Sequence, residues 1–131
     1  MSDFLKATGK LVARHIAQRL KGLEGQLSKI SPALARESLA LLNEFATAGK
    51  LLRGSLVFLG YELGAGRAPD EGEHQNLLDL ACAMELLQSS LLIHDDIMDR
   101  DEFRLGRPAI HSHYKSLLHN RGIAEAGHHG Q

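Results

Sequence analysis

Three carboxylates stand within five residues in the stretch LLIHDDIMDRDEFRLGRP, as Asp95, Asp96 and Asp99. Carboxylates at such short range repel one another, so the cluster calls for a cation or a basic partner. On a helix, residues four apart share a face; Asp95 and Asp99 then stack one turn apart, while Asp96 is rotated from Asp95 by about 100°. Like charges at that spacing cost a helix roughly a few tenths of a kcal/mol. A divalent metal reverses the sign. Magnesium takes one or two carboxylates and completes its octahedron with water and phosphate oxygens, so D-D-x-x-D on a helix is a good shape for a Mg-diphosphate site. From these residues alone the alternative is a solvated acidic helix end paired with Arg100 and Arg104. A calcium loop beginning at Asp101 fails, because Phe103 and Leu105 fall where oxygen ligands are needed.

Between Ala48 and Arg104 the basic residues are Lys50, Arg53, Arg67, Arg100 and Arg104. AGKLLRGS sets Lys50 and Arg53 three apart, predicted to share one face of a helix that begins beside a phosphate. Arginine clamps a diphosphate through paired N–H bonds, and lysine adds a movable point charge. An exposed amphipathic face is the plainer reading of these two cations when taken alone. Gln88, two turns before Asp95, extends a polar stripe with Asp95 and Asp99. Its flank of Leu77, Ala81, Met84, Leu87 and Leu91 predicts carboxylates facing an interior hollow.

The elements that must position these residues are all helical. Phe4, Leu5, Leu11, Val12, Ile16, Leu20, Leu23 and Leu27 recur at three- and four-residue steps, and Gly22 and Gly25 weaken the end of that first helix. Ser31-Pro32 is an N-cap and N1 pair for a second helix to about Ala46. GKLLRGSLVFLGYELGAG predicts a third, closed by its glycines. Asp70 and Glu73 form a capping-box spacing before a fourth, from about Glu71 to about Asp101. The RLGRP stretch breaks it, and a fifth covers about Ala109–Asn120, ended by Arg121-Gly122. No strand is expected. The last residues, IAEAGHHGQ, read as the first turn of a further helix.

At 131 residues, 44% hydrophobic and 24% charged, the chain is the size of one ordinary domain with a buried core. A formal net charge of −1 gives no global basic field for nucleic acid. Cys82, alone within LACAMELL, reads as a small core residue in a reducing compartment. The N-terminus lacks a secretory-type apolar stretch, and uncharged apolar runs fall short of the roughly 20 residues that span a bilayer, so a cytoplasmic location is expected. His111, His113, His119, His128 and His129 lack a matched ligand set and are expected on solvated faces.

Taken together, G-K-x-x-R at Gly49–Arg53, E-L-L-Q with L-I-H-D-D-I-M-D at Glu85–Asp99, and R-x-G-x-P at Arg104–Pro108 closely resemble the N-terminal portion of the trans-isoprenyl diphosphate synthases. AIHSHY and NRGIAEAGHHG resemble the segments that follow in that family. The resemblance implies an all-α fold, an isoprenoid-synthase-type helical bundle around a central cavity. It implies a prenyltransferase that condenses isopentenyl diphosphate with an allylic diphosphate by Mg2+-assisted ionisation. By the same resemblance Asp95 and Asp99 ligate magnesium with Asp96 assisting, Arg104 binds the leaving diphosphate, and Lys50, Arg53 and Gln88 hold isopentenyl diphosphate. A full-length homodimer is implied, with a heteromer as the other possibility.

Two departures qualify the match. Leu105 stands where the family usually has a second arginine, and Arg107 is the candidate to replace it. Family members are roughly twice as long and carry a second aspartate-rich motif, which this chain lacks. Residues 1–131 are therefore expected to be one incomplete domain, inactive alone. A non-catalytic partner subunit of a heteromeric synthase is the alternative. Ser90 and Leu91, five and four residues before Asp95, are not aromatic, which in the family's logic points to a product of C20 or longer.

Overall fold

The structure, a computed structural model, describes residues 1–120. The expected helix start at Ile123, the stop at Arg121-Gly122 and the pair His128-His129 lie outside the described residues. The order of elements is α1 (Ser2–Leu27), α2 (Pro32–Thr47), α3 (Leu52–Ala65), α4 (Glu71–Asp99), β1 (Phe103–Arg104), β2 (Arg107–Pro108) and α5 (Ile110–Asn120). The fold is all-α apart from one short hairpin. Two compact units divide the chain, Met1–Ser89 and Ser90–Gln131, and the boundary falls within the continuous helix α4.

The first unit is held by one apolar core. Val12, Ile16 and Leu20 of α1 meet Ala46 of α2, Leu51 and Phe58 at α3, and Leu78, Ala81 and Cys82 of α4. Val12, Ile16 and Ala81 are fully buried, and each branched aliphatic side chain withdrawn from water this way contributes about 1.5–3 kcal/mol. Cys82 sits in this core as expected, and burial pushes its thiol pKa up, which keeps it unreactive. Gly54 lets α3 approach α1 closely: a Cβ there would stand 3.0 Å from Val12 Cγ1 and 3.4 Å from the Ala81 Cβ. Polar groups tie α4 to α1 as well. His15 Nε2 lies 2.6 Å from Asp79 Oδ1, and Arg19 also donates to Asp79. His15 first, then Arg19, holds the Asp79 carboxyl below its ordinary value.

Side-chain caps set the starts of α2 and α4. The Ser31 hydroxyl accepts from the Leu34 N–H with Pro32 at N1. Asp70 and Glu73 form a complete capping box, each side chain accepting from the other's backbone N–H at 2.8 and 2.9 Å. Arg67 adds a two-pronged grip on the Glu73 carboxylate at 2.8 Å per bond. Helix α1 runs through Gly22 and Gly25 to Leu27, longer than its glycines suggest, because it packs along α2. Helix α4 ends at Asp99, two residues earlier than expected. Arg100 turns to φ +59°, and the Asp101 N–H reaches back to the Asp96 carbonyl while the Arg100 N–H reaches that of Ile97. This is a Schellman closure with arginine where glycine is usual.

Helix α4 is long and apolar enough, by length and composition, to cross a membrane. Asp79 and Glu85 interrupt it, so no uncharged apolar run within it reaches that length. Its residues Leu78, Ala81 and Cys82 nevertheless contribute to the protein core, and Asp79 and Glu85 form polar bonds to α1 and α3.

Arg67 first, through its hydrogen bonds, and then Tyr61 and the Asp70 backbone lower the Glu73 pKa from 4.5 to about 2. A depressed carboxyl pKa in the folded state stabilises above the unfolded value and loses that contribution as pH falls. The capping box is therefore fully effective above about pH 4.5 and fades as pH approaches about 2. Urea unfolding across this window should show a flatter acid limb for Glu73→Gln than for the wild type; parallel acid limbs would show that the box carries no such linkage.

Candidate functional site

Helix α4 delivers the three aspartates on its last two turns. Asp95 and Asp99 are exposed, one turn apart. The carbonyl end of a helix carries partial negative charge, so both carboxylates sit where the helix dipole adds to their repulsion and favours a cation. Asp96 is 1% exposed. Arg104 Nε donates to both of its oxygens at 2.9 Å and Nη2 to Oδ1 at 2.6 Å. This partner keeps the Arg104 guanidinium well above its ordinary pKa.

The geometry gives Asp96 and Arg104 a different first duty from the one the sequence suggests. Asp96 was expected to assist a metal; its oxygens are instead taken by a buried ion pair. Arg104 was expected to face a diphosphate; part of its donor set is committed to Asp96. Among the described residues no group of three or more His, Cys, Asp or Glu side chains is arranged to hold a metal. Two open carboxylates remain, which fits a magnesium ion that takes one or two protein oxygens and leaves its other positions to water and phosphate. Asp95 and Asp99 are the residues that would hold it. His94, beside them, is exposed.

A hairpin supplies the arginine. Phe103 pairs with Pro108 and Arg104 with Arg107, leaving Leu105-Gly106 as a two-residue turn with φ of 51° and 75°. Positive φ at both turn positions is the primed geometry that matches strand twist, natural for Gly106 and strained for Leu105. The expectation of no strand is corrected here: two residues per strand are too few for an alternating pattern to show. Leu105 is 74% exposed at the tip, where it offers no charge to a phosphate. As directly opposed partners in an antiparallel ribbon, Arg104 and Arg107 share one of its faces.

In the first unit, Lys50 lies in the turn before α3 and only Arg53 is within the helix. The expected shared helical face is corrected: Leu51 takes a left-handed conformation, φ 51° and ψ 42°, and starts the helix one residue after itself. Leu51 is buried in the core, which offsets that strain. Lys50 and Arg53 are both exposed. Gln88 is half-buried on α4. Of its expected apolar flank only Ala81 is fully buried; Met84, Leu87 and Leu91 are exposed.

Sequence reasoning missed Glu85 as a group with a task. It is 6% exposed, and its Oε1 accepts from the Gly54 N–H at 2.8 Å. The available signal was a lone acid inside the apolar run LACAMELLQ. It also missed His15, Arg19 and Asp79, whose pairings span 64 and 60 positions and leave no local pattern.

Arg104→Ala should leave Asp96 buried without its partner and destabilise the 96–109 region by on the order of 3 kcal/mol. Hydrogen exchange of the Ala109 N–H, which bonds the Glu102 carbonyl at 2.8 Å, reads this directly. Unchanged protection in the variant would mean the pair does not hold the hairpin.

A profile of the polyprenyl synthetase family matches residues 37–122. The chain is 38% identical over 103 residues to a geranylgeranyl diphosphate synthase of Pantoea ananas, covering 74% of this chain and 32% of that protein. It is 32% identical over 111 residues to a geranylfarnesyl diphosphate synthase of Natronomonas pharaonis, covering 76% of this chain and 33% of the relative. A farnesyl diphosphate synthase of Bacillus subtilis is 34% identical over 109 residues, with coverage of 79% and 34%. The chain thus spans about a third of the length of these relatives. No solved structure matches it.

Proposed function

Because the chain belongs to the polyprenyl synthetase family, we propose that the intact protein condenses isopentenyl diphosphate head-to-tail with an allylic diphosphate. One observation carries this reading. The D-D-x-x-D acids are divided by Arg104 into one neutralised member, Asp96, and an open pair, Asp95 and Asp99, at the negative end of α4.

In this reading Asp95 and Asp99 would hold Mg2+ beside the allylic diphosphate. The ion, when bound, supplies charge stabilisation to the leaving oxygens. Asp96 orients Arg104, whose remaining N–H groups bind the same leaving diphosphate. The allylic C–O bond breaks with its electron pair going to diphosphate, where fixed cations stabilise the developing charge. The isopentenyl double bond then attacks the allylic carbon, and loss of a proton completes the product. Lys50, Arg53 and Gln88 hold isopentenyl diphosphate, and Arg107, sharing a ribbon face with Arg104, takes the part left open by Leu105. No side-chain nucleophile is needed.

The product is C20 or longer, since neither Ser90 nor Leu91 is aromatic; the relatives are named for farnesyl, geranylgeranyl and geranylfarnesyl products alike. The protein is cytoplasmic, does not span the membrane, and works as a homodimer or within a heteromer. The 131-residue chain by itself is inactive. Leu105, exposed at the hairpin tip, favours a second reading, a non-catalytic partner subunit of a heteromeric synthase. An intact protein that turns over only when mixed with a second subunit selects that reading.

In the intact protein, Asp95→Asn combined with Asp99→Asn should lower kcat for prenyl transfer by about 10²–10³-fold. The isopentenyl diphosphate KM should change little; undiminished turnover would refute the assignment. Ser90→Phe should shorten the product by at least one isoprene unit on chromatography of the dephosphorylated alcohols. An unaltered product distribution would remove the chain-length argument.

A further inference from the structure

A helix start has N–H groups without intrahelical partners, and α3 begins without a side-chain cap of its own: Leu51 stands at the N-cap position. Glu85 reaches across from α4 to fill that role, its Oε1 accepting from the Gly54 N–H, the third helical residue. Among the described residues no cation lies within ion-pair distance of Glu85, so this acid is placed in the core for a backbone donor. The packing leaves it little latitude. Gly54 is wedged against Val12 and Ala81, and the Lys50 carbonyl lies 3.3 Å from where a Cβ of Gly9 would stand. The Leu51 carbonyl accepts from both the Ser55 N–H and its hydroxyl, at 3.1 Å each.

These contacts fix the start of α3, with Lys50 just before it and Arg53 in its first turn, and Glu85 is the polar contact made from α4. We infer that Glu85 is a positioning residue for diphosphate binding: by capping α3 from a neighbouring helix it sets where Lys50 and Arg53 present their charges. The inference rests on the reading of Lys50 and Arg53 as diphosphate ligands. It gives the buried acid of E-L-L-Q a task distinct from that of Gln88, three residues on. With its third N–H taken by Glu85, α3 has the N–H groups of Leu52 and Arg53 left to face an anion beside the two side chains.

The test uses the 131-residue chain and inorganic pyrophosphate, titrated by NMR on the amides of Leu52, Arg53 and Gly54. Hydrogen exchange of Gly54 is measured in parallel. Glu85→Ala should speed Gly54 exchange about fivefold, the usual scale for a lost cap. It should also weaken pyrophosphate by at least about threefold, since charge-assisted bonds depend on placement. Glu85→Gln, which retains the acceptor, should restore both to near wild-type values. If Glu85→Ala does not fold, Glu85→Asp replaces it, because shortening the side chain by one bond withdraws the acceptor by about 1.5 Å. Equal loss in Glu85→Gln, or wild-type pyrophosphate affinity in the variant with Gly54 deprotected, would overturn the positioning role alone. Lys50→Ala with Arg53→Ala should abolish binding with Gly54 protection intact. Unchanged affinity in that double variant would instead bring down the diphosphate reading, and this inference with it.

Discussion

Three acidic side chains on the last two turns of a helix repel one another and the helix's own carbonyl end, and everything else in this region answers to that constraint. Arg104 removes one charge from the problem by burying Asp96 in a forked ion pair. A buried carboxylate without such a partner would cost several kcal/mol, so the hairpin that delivers Arg104 is bound to the aspartate motif. The same pairing leaves Asp95 and Asp99 uncompensated and exposed. A divalent ion would relieve the repulsion between them.

The first unit solves a related problem at the start of α3. Its cationic turn depends on a left-handed Leu51, a conformation that costs a branched residue about 1–2 kcal/mol. The core offsets it: Leu51 is buried with Val12, Ile16 and Phe58. Glu85 then caps a helix that has no cap in its own sequence. In both units, then, a buried acid fixes backbone or guanidinium groups while neighbouring charges stay exposed.

Local chemistry was readable from the residues, and long-range pairing was not. Ser31-Pro32 and the Asp70–Glu73 box mark their helix starts because each cap is closed within three residues. The five helices follow from apolar periodicity for the same reason. Lys50 was misplaced onto α3 because the left-handed turn at Leu51 is imposed by burial in the core. The Arg104–Arg107 hairpin escaped notice because Leu105 is a poor residue for positive φ and hides the turn that Gly106 alone suggests. Helix α4 stops at Asp99 through a Schellman closure on Arg100, a position where glycine would have been the visible sign. The aspartate spacing placed Asp95 and Asp99 one turn apart on α4, yet which acid Arg104 would neutralise depended on the folded hairpin.

Calorimetric titration of the chain with pyrophosphate, in the presence and absence of Mg2+, tests the division of labour among the three aspartates most directly. A Mg2+-dependent component of binding should appear, separate from Mg2+-independent binding at Lys50 and Arg53, and it should disappear when Asp95 and Asp99 are both asparagine, with Asp96 and Arg104 untouched. Absence of any Mg2+-dependent component, or its survival after loss of both open carboxylates, would contradict the account.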